Sequence, residues 1–145
     1  MLTLHSYWRS TTAYRVRVAL NLKGLPYRVV PVDLVAGEQR ASDYVAKNPI
    51  KGVPTLLLGD GRALTQSLAI MSYLDDIAPD PALLPEPAFG RAQVLAAAQV
   101  IATDIHPINN LKVVSHLKTQ HGLTADEGTA WMRHWMTEGL HAYQA

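Results

Sequence analysis

Three consecutive hydroxyl residues, Ser10, Thr11 and Thr12, stand between an apolar stretch that predicts a strand and an amphipathic stretch that predicts a helix. The first turn of a helix exposes backbone N–H groups without partners and the positive end of the helix dipole. Hydroxyls at such a junction either cap the helix or stabilise an anion bound beside it. This junction is therefore the first candidate site, and both roles remain open for it.

Two later segments carry candidate binding residues. Val53-Pro54 precedes a predicted strand, where a cis bond would leave the Val53 N–H and C=O groups available to an extended peptide ligand. The spacing alone favours an ordinary trans proline, because cis bonds are rare. Gln66-Ser67 opens the next predicted helix, and Ser67 is expected to be its N-cap. The same position suits a bound carboxylate, and the two roles do not exclude each other.

A few charged and polar side chains complete the set of candidates. Arg9 precedes the first helix and is the arginine best placed for a substrate carboxylate. Arg15 and Arg17 lie two residues apart on that helix, so they cannot both face one site, and at least one is expected to be structural. His106 and Asn110 share one side of a later helix, which is either a solvated face, the more common case, or one side of a cleft. No metal site is predicted, because His106 has no second ligand at helical spacing.

The composition restricts the class of protein. A chain of 145 residues with 48% hydrophobic and 17% charged residues is typical of a folded globular protein. A formal charge of +1 provides no electrostatic case for binding nucleic acid or an anionic membrane. No apolar run is long enough to cross a membrane. The chain contains no cysteine, so disulfides and thiolate metal ligands are excluded and any thiol chemistry must use a thiol carried by a ligand. These features favour a cytoplasmic protein.

The elements that would position these residues fall into two groups. The first group is predicted as β-α-β-α-β-β-α, with strands at 2–7, 27–34, 55–58 and 62–65 and helices at 10–23, 41–47 and 67–77. The first two strands should be parallel because a helix connects them, and the last two should form a hairpin. A proline-rich linker follows, and the strand pattern then disappears.

The second group is predicted to be entirely helical. A long helix over 89–118 should be kinked at Pro107, and a further helix should begin at a capping box formed by Thr124 and Glu127. This last helix carries two tryptophans and a leucine on one side. Two helices are too few to enclose such side chains, so we expect the helical domain to be incomplete.

These motifs together resemble the glutathione transferase superfamily, in which a thioredoxin-like α/β domain is followed by an all-α domain. The chain is most similar to the zeta class, the maleylacetoacetate isomerases, over Tyr7–Leu20, Asn48–Thr55, Gln66–Ile70 and Asp104–Leu111. Bacterial maleylpyruvate isomerases are closely similar over the same stretches. The resemblance implies a glutathione-binding domain over 1–80 and a truncated all-helical domain over 87–145.

The resemblance also implies roles for individual residues. Ser10 matches the serine that hydrogen-bonds the glutathione sulfur, Arg9 would meet a substrate carboxylate, and Pro54 matches a cis proline. Thr12 stands where the family commonly has cysteine, and it is grouped with Ser10 and Arg9 as catalytic. The implied glutathione-binding residues are Ser10, Gln39, Val53, Pro54, Gln66, Ser67, His106 and Asn110.

The activity implied by the resemblance is glutathione-dependent cis–trans isomerisation of maleylacetoacetate to fumarylacetoacetate in tyrosine and phenylalanine breakdown. Glutathione would be the cofactor, a small diacid the substrate, and a homodimer the assembly. Alternatives are a maleylpyruvate isomerase, against which Leu111 weighs, and a general transferase acting on electrophiles or α-halo acids. A non-catalytic protein-binding module is a further alternative, which the presence of Ser10, Val53-Pro54 and Gln66-Ser67 disfavours.

Overall fold

The computed structural model describes residues 1–144, and the chain divides into two compact units at Leu83 and Leu84. The first unit has the predicted order β-α-β-α-β-β-α, and a 3-10 turn over Glu38–Arg40 precedes its second helix. Its strands are β1 Leu2–Ser6, β2 Tyr27–Pro31, β3 Thr55–Leu57 and β4 Ala63–Thr65. Its helices are α1 Thr11–Leu22, α2 Ser42–Val45 and α3 Ser67–Ile77. The predicted thioredoxin-like α/β fold is confirmed.

The four strands form one mixed sheet in the order β2-β1-β3-β4. β1 and β2 are parallel, as the connecting helix α1 predicts, and β3 is antiparallel to both of its neighbours. Leu4 in the central strand β1 is paired with Val29 on one side and Leu56 on the other. Three residues separate the carboxyl end of β1 from the hydroxyl triplet Ser10–Thr12, so the sheet determines closely where that triplet lies.

The core of this unit lies between the sheet and the helices α1 and α3. Apolar residues recur at helical spacing in both helices, and this spacing turns one side of each helix toward the sheet. The fully buried side chains include Leu4, Val16, Leu20, Leu56, Ile70 and Leu74. Burial of each such side chain contributes about 1.5–3 kcal/mol relative to exposure. The core therefore holds the amino ends of α1 and α3 in fixed positions.

Helix α1 begins and ends with local signals that the sequence contains. Its N-cap is Ser10, whose Oγ accepts a hydrogen bond from the Ala13 N–H at 3.1 Å. Gly24 follows the helix with φ of 61°, a left-handed conformation that glycine adopts without steric cost. The beginning of α3 differs from expectation, because Gln66 holds the N-cap position and Ser67 is the first helical residue. The prediction that Ser67 caps α3 is wrong.

The second unit is helical, but the predicted long helix over 89–118 is wrong. The elements of the second unit are α4 Ala88–Gln99, a π-helical turn Val100–Ile105, a 3-10 turn Pro107–Asn109, α5 Leu111–His121 and α6 Ala125–Gln144. Pro107 has no backbone N–H to continue the helical ladder. The Asn110 Oδ1 accepts a hydrogen bond from the Lys112 N–H at 3.1 Å, which starts α5 as a separate helix. The expected kink is therefore a complete break.

The predicted capping box at the beginning of α6 is confirmed. The Glu127 N–H donates to Thr124 Oγ1 at 3.2 Å, and the Thr124 N–H donates to Glu127 Oε2 at 2.8 Å. The second of these bonds lowers the pKa of the Glu127 carboxyl. Farther along α6, the Trp131 Nε1–H donates to the Ile108 carbonyl at 3.0 Å, whereas Trp135 keeps 38% of its surface exposed. Within residues 1–144, the apolar side of α6 is therefore only partly buried by other side chains. No helix in that range is both long and apolar enough to cross a membrane.

Candidate functional site

A row of hydrogen bonds joins the hydroxyl triplet to the loop before β3. Ser10 Oγ lies 2.8 Å from Thr12 Oγ1, and the Thr12 hydroxyl donates to the Val53 carbonyl at 2.9 Å. Because Ser10 Oγ also accepts from the Ala13 N–H, its capping role is confirmed. The fold thus brings together three of the predicted site residues, which come from two different segments.

The direction of these hydrogen bonds follows from the number of protons. A threonine hydroxyl has one proton, and that of Thr12 is used on the Val53 carbonyl. Ser10 must therefore be the donor in its bond with Thr12. All three residues are only partly buried.

A buried polar network of Tyr44, Asn48 and Thr55 supports the loop that carries Val53. The Tyr44 hydroxyl and the Asn48 amide both donate to the Gly52 carbonyl, at 2.5 and 2.8 Å. The Asn48 amide also donates to Thr55 Oγ1 at 2.9 Å, and burial raises the pKa of Tyr44. The Val53–Pro54 peptide bond is cis. The trans proline expected from the spacing is therefore wrong, and the cis proline implied by the resemblance is confirmed.

These network residues were not among the predicted site residues. The only local signal was Asn48 before Pro49, a pair that is typical of a turn. Their role depends on partners in the fold, because Tyr44 and Asn48 act on Gly52 and Thr55 only after α2 packs beneath the loop.

Tyr44→Phe tests how strongly this network supports the loop. The change removes one of two hydrogen bonds to the Gly52 carbonyl and leaves a buried Thr55 hydroxyl with one partner fewer. We expect the free energy of unfolding, measured by urea denaturation, to fall by about 1–2 kcal/mol. The matched control is Tyr73→Phe, because no hydrogen bond involves that hydroxyl in the described part of the chain. An equal loss in both variants would contradict the role of the network.

The amino end of α3 is joined to α1 by a charged side chain. Arg15 Nη1 donates to Ser67 Oγ at 2.9 Å, and this bond occupies the hydroxyl that was expected to cap the helix. Burial lowers the pKa of Arg15, but a guanidinium remains charged in proteins. Arg17 donates to Ser6 Oγ at 2.7 Å. The expectation that at least one of these arginines is structural is confirmed, because Arg15 and Arg17 each donate a hydrogen bond to a serine side chain.

The amino ends of both helices favour negative charge. Neither α1 nor α3 has an acidic residue in its first turn, so the positive end of each helix dipole is not neutralised. Gln66, just before α3, is exposed and has φ of 67°. This conformation is uncommon outside glycine and costs about 1–3 kcal/mol. Such strain is concentrated at ligand-binding sites.

The remaining predicted residues have other surroundings. Arg9 is exposed, and its Cζ lies 5.5 Å from the centre of the exposed Trp8 ring, which is a cation–π contact. Gln39 is buried and donates to the Leu34 carbonyl at 3.2 Å, while its Oε1 has no partner among residues 1–144. In the second unit, His106 Nε2 lies 3.2 Å from Asn110 Nδ2. The binding roles of these residues stay predictions.

Comparison with known proteins adds a decisive observation to this geometry. The model of the glutathione S-transferase N-terminal domain family matches residues 1–76, which is more than half of the chain. The chain belongs to the glutathione S-transferase family. The α/β fold of the first unit of this glutathione transferase family member agrees with that assignment.

Relatives of this glutathione transferase narrow the resemblance to the zeta class. It is 45% identical over 141 residues to a probable maleylacetoacetate isomerase of Vibrio cholerae, a match that covers 96% of the chain and 65% of that relative. It is 42% identical to a maleylpyruvate isomerase of Ralstonia, covering 98% of the chain and 66% of that relative. The chain therefore spans just under two thirds of the length of these two relatives.

A solved structure supports the same grouping. The crystal structure of a maleylacetoacetate isomerase from Methylobacterium extorquens, with malonate and glutathione bound, superposes with a TM-score of 0.94. The two proteins are 42% identical, and the match covers 97% of this chain and 65% of that one. The similarity to the zeta class that the sequence indicated is confirmed.

Proposed function

We propose that this glutathione transferase is a glutathione-dependent isomerase that converts maleylacetoacetate to fumarylacetoacetate in tyrosine and phenylalanine breakdown. The observation that carries the proposal is the Ser10 hydroxyl at the amino end of α1, hydrogen-bonded through Thr12 to the Val53 carbonyl. This arrangement occurs in a chain that is closely related to proteins named for that activity.

The residues at the site fit glutathione. Ser10 would bond the sulfur, the Val53 backbone and Pro54 would hold the cysteinyl unit, and Gln66-Ser67 would hold the γ-glutamyl end. Gln39 would contact the glycyl end. The amino ends of α1 and α3, without acidic residues, favour the anionic groups of a tripeptide.

Glutathione supplies a thiolate that adds reversibly to the double bond and so allows rotation about it. The task of Ser10 is to favour the ionised form of that sulfur. A thiol with a pKa of about 8.5 is roughly 3% ionised at pH 7, and lowering the pKa by about two units makes it roughly 75% ionised. One hydrogen bond to the charged sulfur together with the dipole of α1 supplies the ~2.7 kcal/mol required. A carboxylate in place of Ser10 would have the opposite effect.

Arg9 is proposed to bind a carboxylate of the substrate. Arg9 directly precedes Ser10 in the sequence, and its exposed side chain lies against the Trp8 ring. Planar guanidinium groups bind carboxylates through two parallel hydrogen bonds. The malonate bound in the Methylobacterium relative is a diacid, which supports a diacid substrate for this protein as well.

The test is isomerisation of maleylacetone, a simple substitute for maleylacetoacetate, by this chain with and without glutathione. We expect turnover only when glutathione is present. Maleylpyruvate and an α-halo acid are assayed in parallel, because one relative is named maleylpyruvate isomerase and because a dehalogenating transferase would use the same thiolate. A folded chain that binds glutathione but isomerises neither maleylacetone nor maleylpyruvate would contradict the proposal.

We further propose a cytoplasmic homodimer. The absence of cysteine suits a compartment in which disulfides do not form, and the resemblance to glutathione transferases implies the dimer. Analytical ultracentrifugation of the chain measures the assembly directly, and a mass of one chain across the micromolar range would contradict it.

A further inference from the structure

The Thr12 hydroxyl lies between two groups that the proposed function needs for glutathione. It is 2.8 Å from Ser10 Oγ, the proposed donor to the sulfur, and it donates to the Val53 carbonyl at 2.9 Å. Its single proton can reach either oxygen by rotation about one bond, without movement of any heavier atom. In the structure this proton is on the Val53 side.

These hydrogen bonds occupy the groups that glutathione would use under the proposed function. The Ser10 proton is directed at Thr12, so Ser10 must turn away from Thr12 before it can donate to a sulfur. The Val53 carbonyl already accepts the Thr12 hydroxyl. Once Ser10 turns, the Thr12 oxygen no longer accepts a hydrogen bond from Ser10. The Thr12 hydroxyl then either keeps its bond to the Val53 carbonyl or donates to Ser10 Oγ.

We propose that Thr12 is a positioning residue whose hydroxyl turns from the Val53 carbonyl to Ser10 Oγ when glutathione binds. The inference rests on the proposed function. With glutathione bound, Thr12 donates to Ser10, and Ser10 donates to the sulfur. The Val53 carbonyl is then left for an amide N–H of the tripeptide.

The Ser10 oxygen has the capacity for this arrangement. It accepts one hydrogen bond from the Ala13 N–H, and a hydroxyl oxygen has a second lone pair that can accept from Thr12. Hydrogen bonds in a row polarise one another, so a donation from Thr12 makes Ser10 a stronger donor to the thiolate. Thr12 therefore lowers the pKa of the bound thiol without touching the sulfur.

The opposite arrangement makes the opposite prediction. If Thr12 kept its proton on the Val53 carbonyl, its oxygen would only compete with the sulfur for the Ser10 proton. Removing the Thr12 hydroxyl would then leave the thiol pKa unchanged or lower it. The sign of the change in that pKa therefore distinguishes the two arrangements.

The experiment measures the pKa of glutathione bound to the full chain, from the ultraviolet absorbance of the thiolate as a function of pH, with no diacid present. We expect Thr12→Val to raise this pKa by about 0.5 pH unit, which lowers the thiolate fraction at pH 6 roughly threefold. Thr12→Ser keeps the hydroxyl and should restore the original value. Thr12→Ala replaces Thr12→Val if the latter does not fold.

Two controls separate the inference from the proposed function. Ser10→Ala should raise the thiol pKa by more than Thr12→Val does, since it removes the bond to the sulfur itself. Thr129→Val makes the same substitution at an exposed residue of α6, whose hydroxyl donates to the Ala125 carbonyl, and should leave the pKa unchanged.

A raised pKa in Thr12→Val that Thr12→Ser restores supports the turning hydroxyl. An unchanged or lowered pKa in Thr12→Val, beside a raised one in Ser10→Ala, overturns it and leaves the proposed function intact. Failure of the unaltered chain to bind glutathione, measured by calorimetry, overturns both.

Discussion

Ser10→Ala is expected to lower kcat/KM for glutathione-dependent isomerisation at pH 7 by about 5- to 25-fold. The variant loses the hydrogen bond to the charged sulfur, which together with the dipole of α1 supplies the ~2.7 kcal/mol that separates roughly 75% from roughly 3% thiolate at pH 7. The loss should shrink as the pH rises toward about 8.5, where a thiol ionises without help. Measurement of kcat/KM between pH 6 and 9 tests both the size and the pH dependence of the effect.

The same substitution removes the N-cap of α1, so stability must be separated from activity. Ser10 Oγ accepts from the Ala13 N–H, and loss of a cap costs about 0.5–2 kcal/mol. Thr124→Ala is the matched control, because it removes the capping hydroxyl of α6 outside the proposed site. We expect a similar loss of stability in both variants but normal activity in Thr124→Ala. Activity in Ser10→Ala within twofold of the original, with the thiol pKa unchanged, would refute the role of Ser10.

Asp75→Ala is expected to destabilise the first unit by about 3 kcal/mol, the low end of the range for a buried ion pair because Asp75 is partly exposed, and the largest effect on stability that we predict. Asp75 Oδ1 lies 2.5 Å from Lys23 Nζ, and the Lys23 side chain has no exposed surface. Removal of one member of such a buried pair leaves the other charge without its counter-ion. Lys23 would retain its hydrogen bond to the Pro81 carbonyl at 2.6 Å, which carries no counter-charge. Thermal and urea denaturation measure the loss.

An exposed ion pair provides the control for this substitution. Asp60 pairs with Arg62 at 2.7 Å, but 51% and 75% of the two side chains are exposed. Water weakens such pairs, so Asp60→Ala should change the free energy of unfolding by less than about 1 kcal/mol. The double variant Lys23→Met/Asp75→Leu should recover most of the stability lost in Asp75→Ala, because no unpaired charge remains. Equal losses in Asp75→Ala and Asp60→Ala would contradict the prediction.

The buried pair also predicts how stability depends on pH. The hydrogen bond from Lys23 holds the pKa of the Asp75 carboxyl below its ordinary value of 3.8. A carboxyl whose pKa is lower in the folded state stabilises the fold fully above its unfolded pKa. The contribution is lost as the pH falls below that value and through the lowered pKa. Stability should therefore fall below about pH 4 less steeply in Asp75→Ala than in the unaltered chain.

Much of the first unit could be predicted from the sequence, because its signals are local. The apolar spacing over Ser67–Ile77 defined α3 at both ends, and the hairpin of β3 and β4 followed from the glycine-rich turn between two apolar runs. In the second unit, the capping box of Thr124 and Glu127 was predicted for the same reason, since both residues lie within one helical turn. Local spacing failed at Pro107, because the apolar stripe continues through the point where the backbone ladder is broken.

By itself, the sequence determined the order of elements, the family resemblance and the identity of the candidate residues. Only the tertiary structure decided which of them meet. Thr12 and Val53 are 41 positions apart, and Arg15 and Ser67 are 52 positions apart, so no local pattern could pair them. The reason is physical. A hydroxyl can bond to whichever partner the packing of α1, α3 and the sheet brings within about 3 Å. Because of that packing, Ser67 Oγ accepts from Arg15 instead of capping α3, and Thr12 lies between Ser10 and Val53.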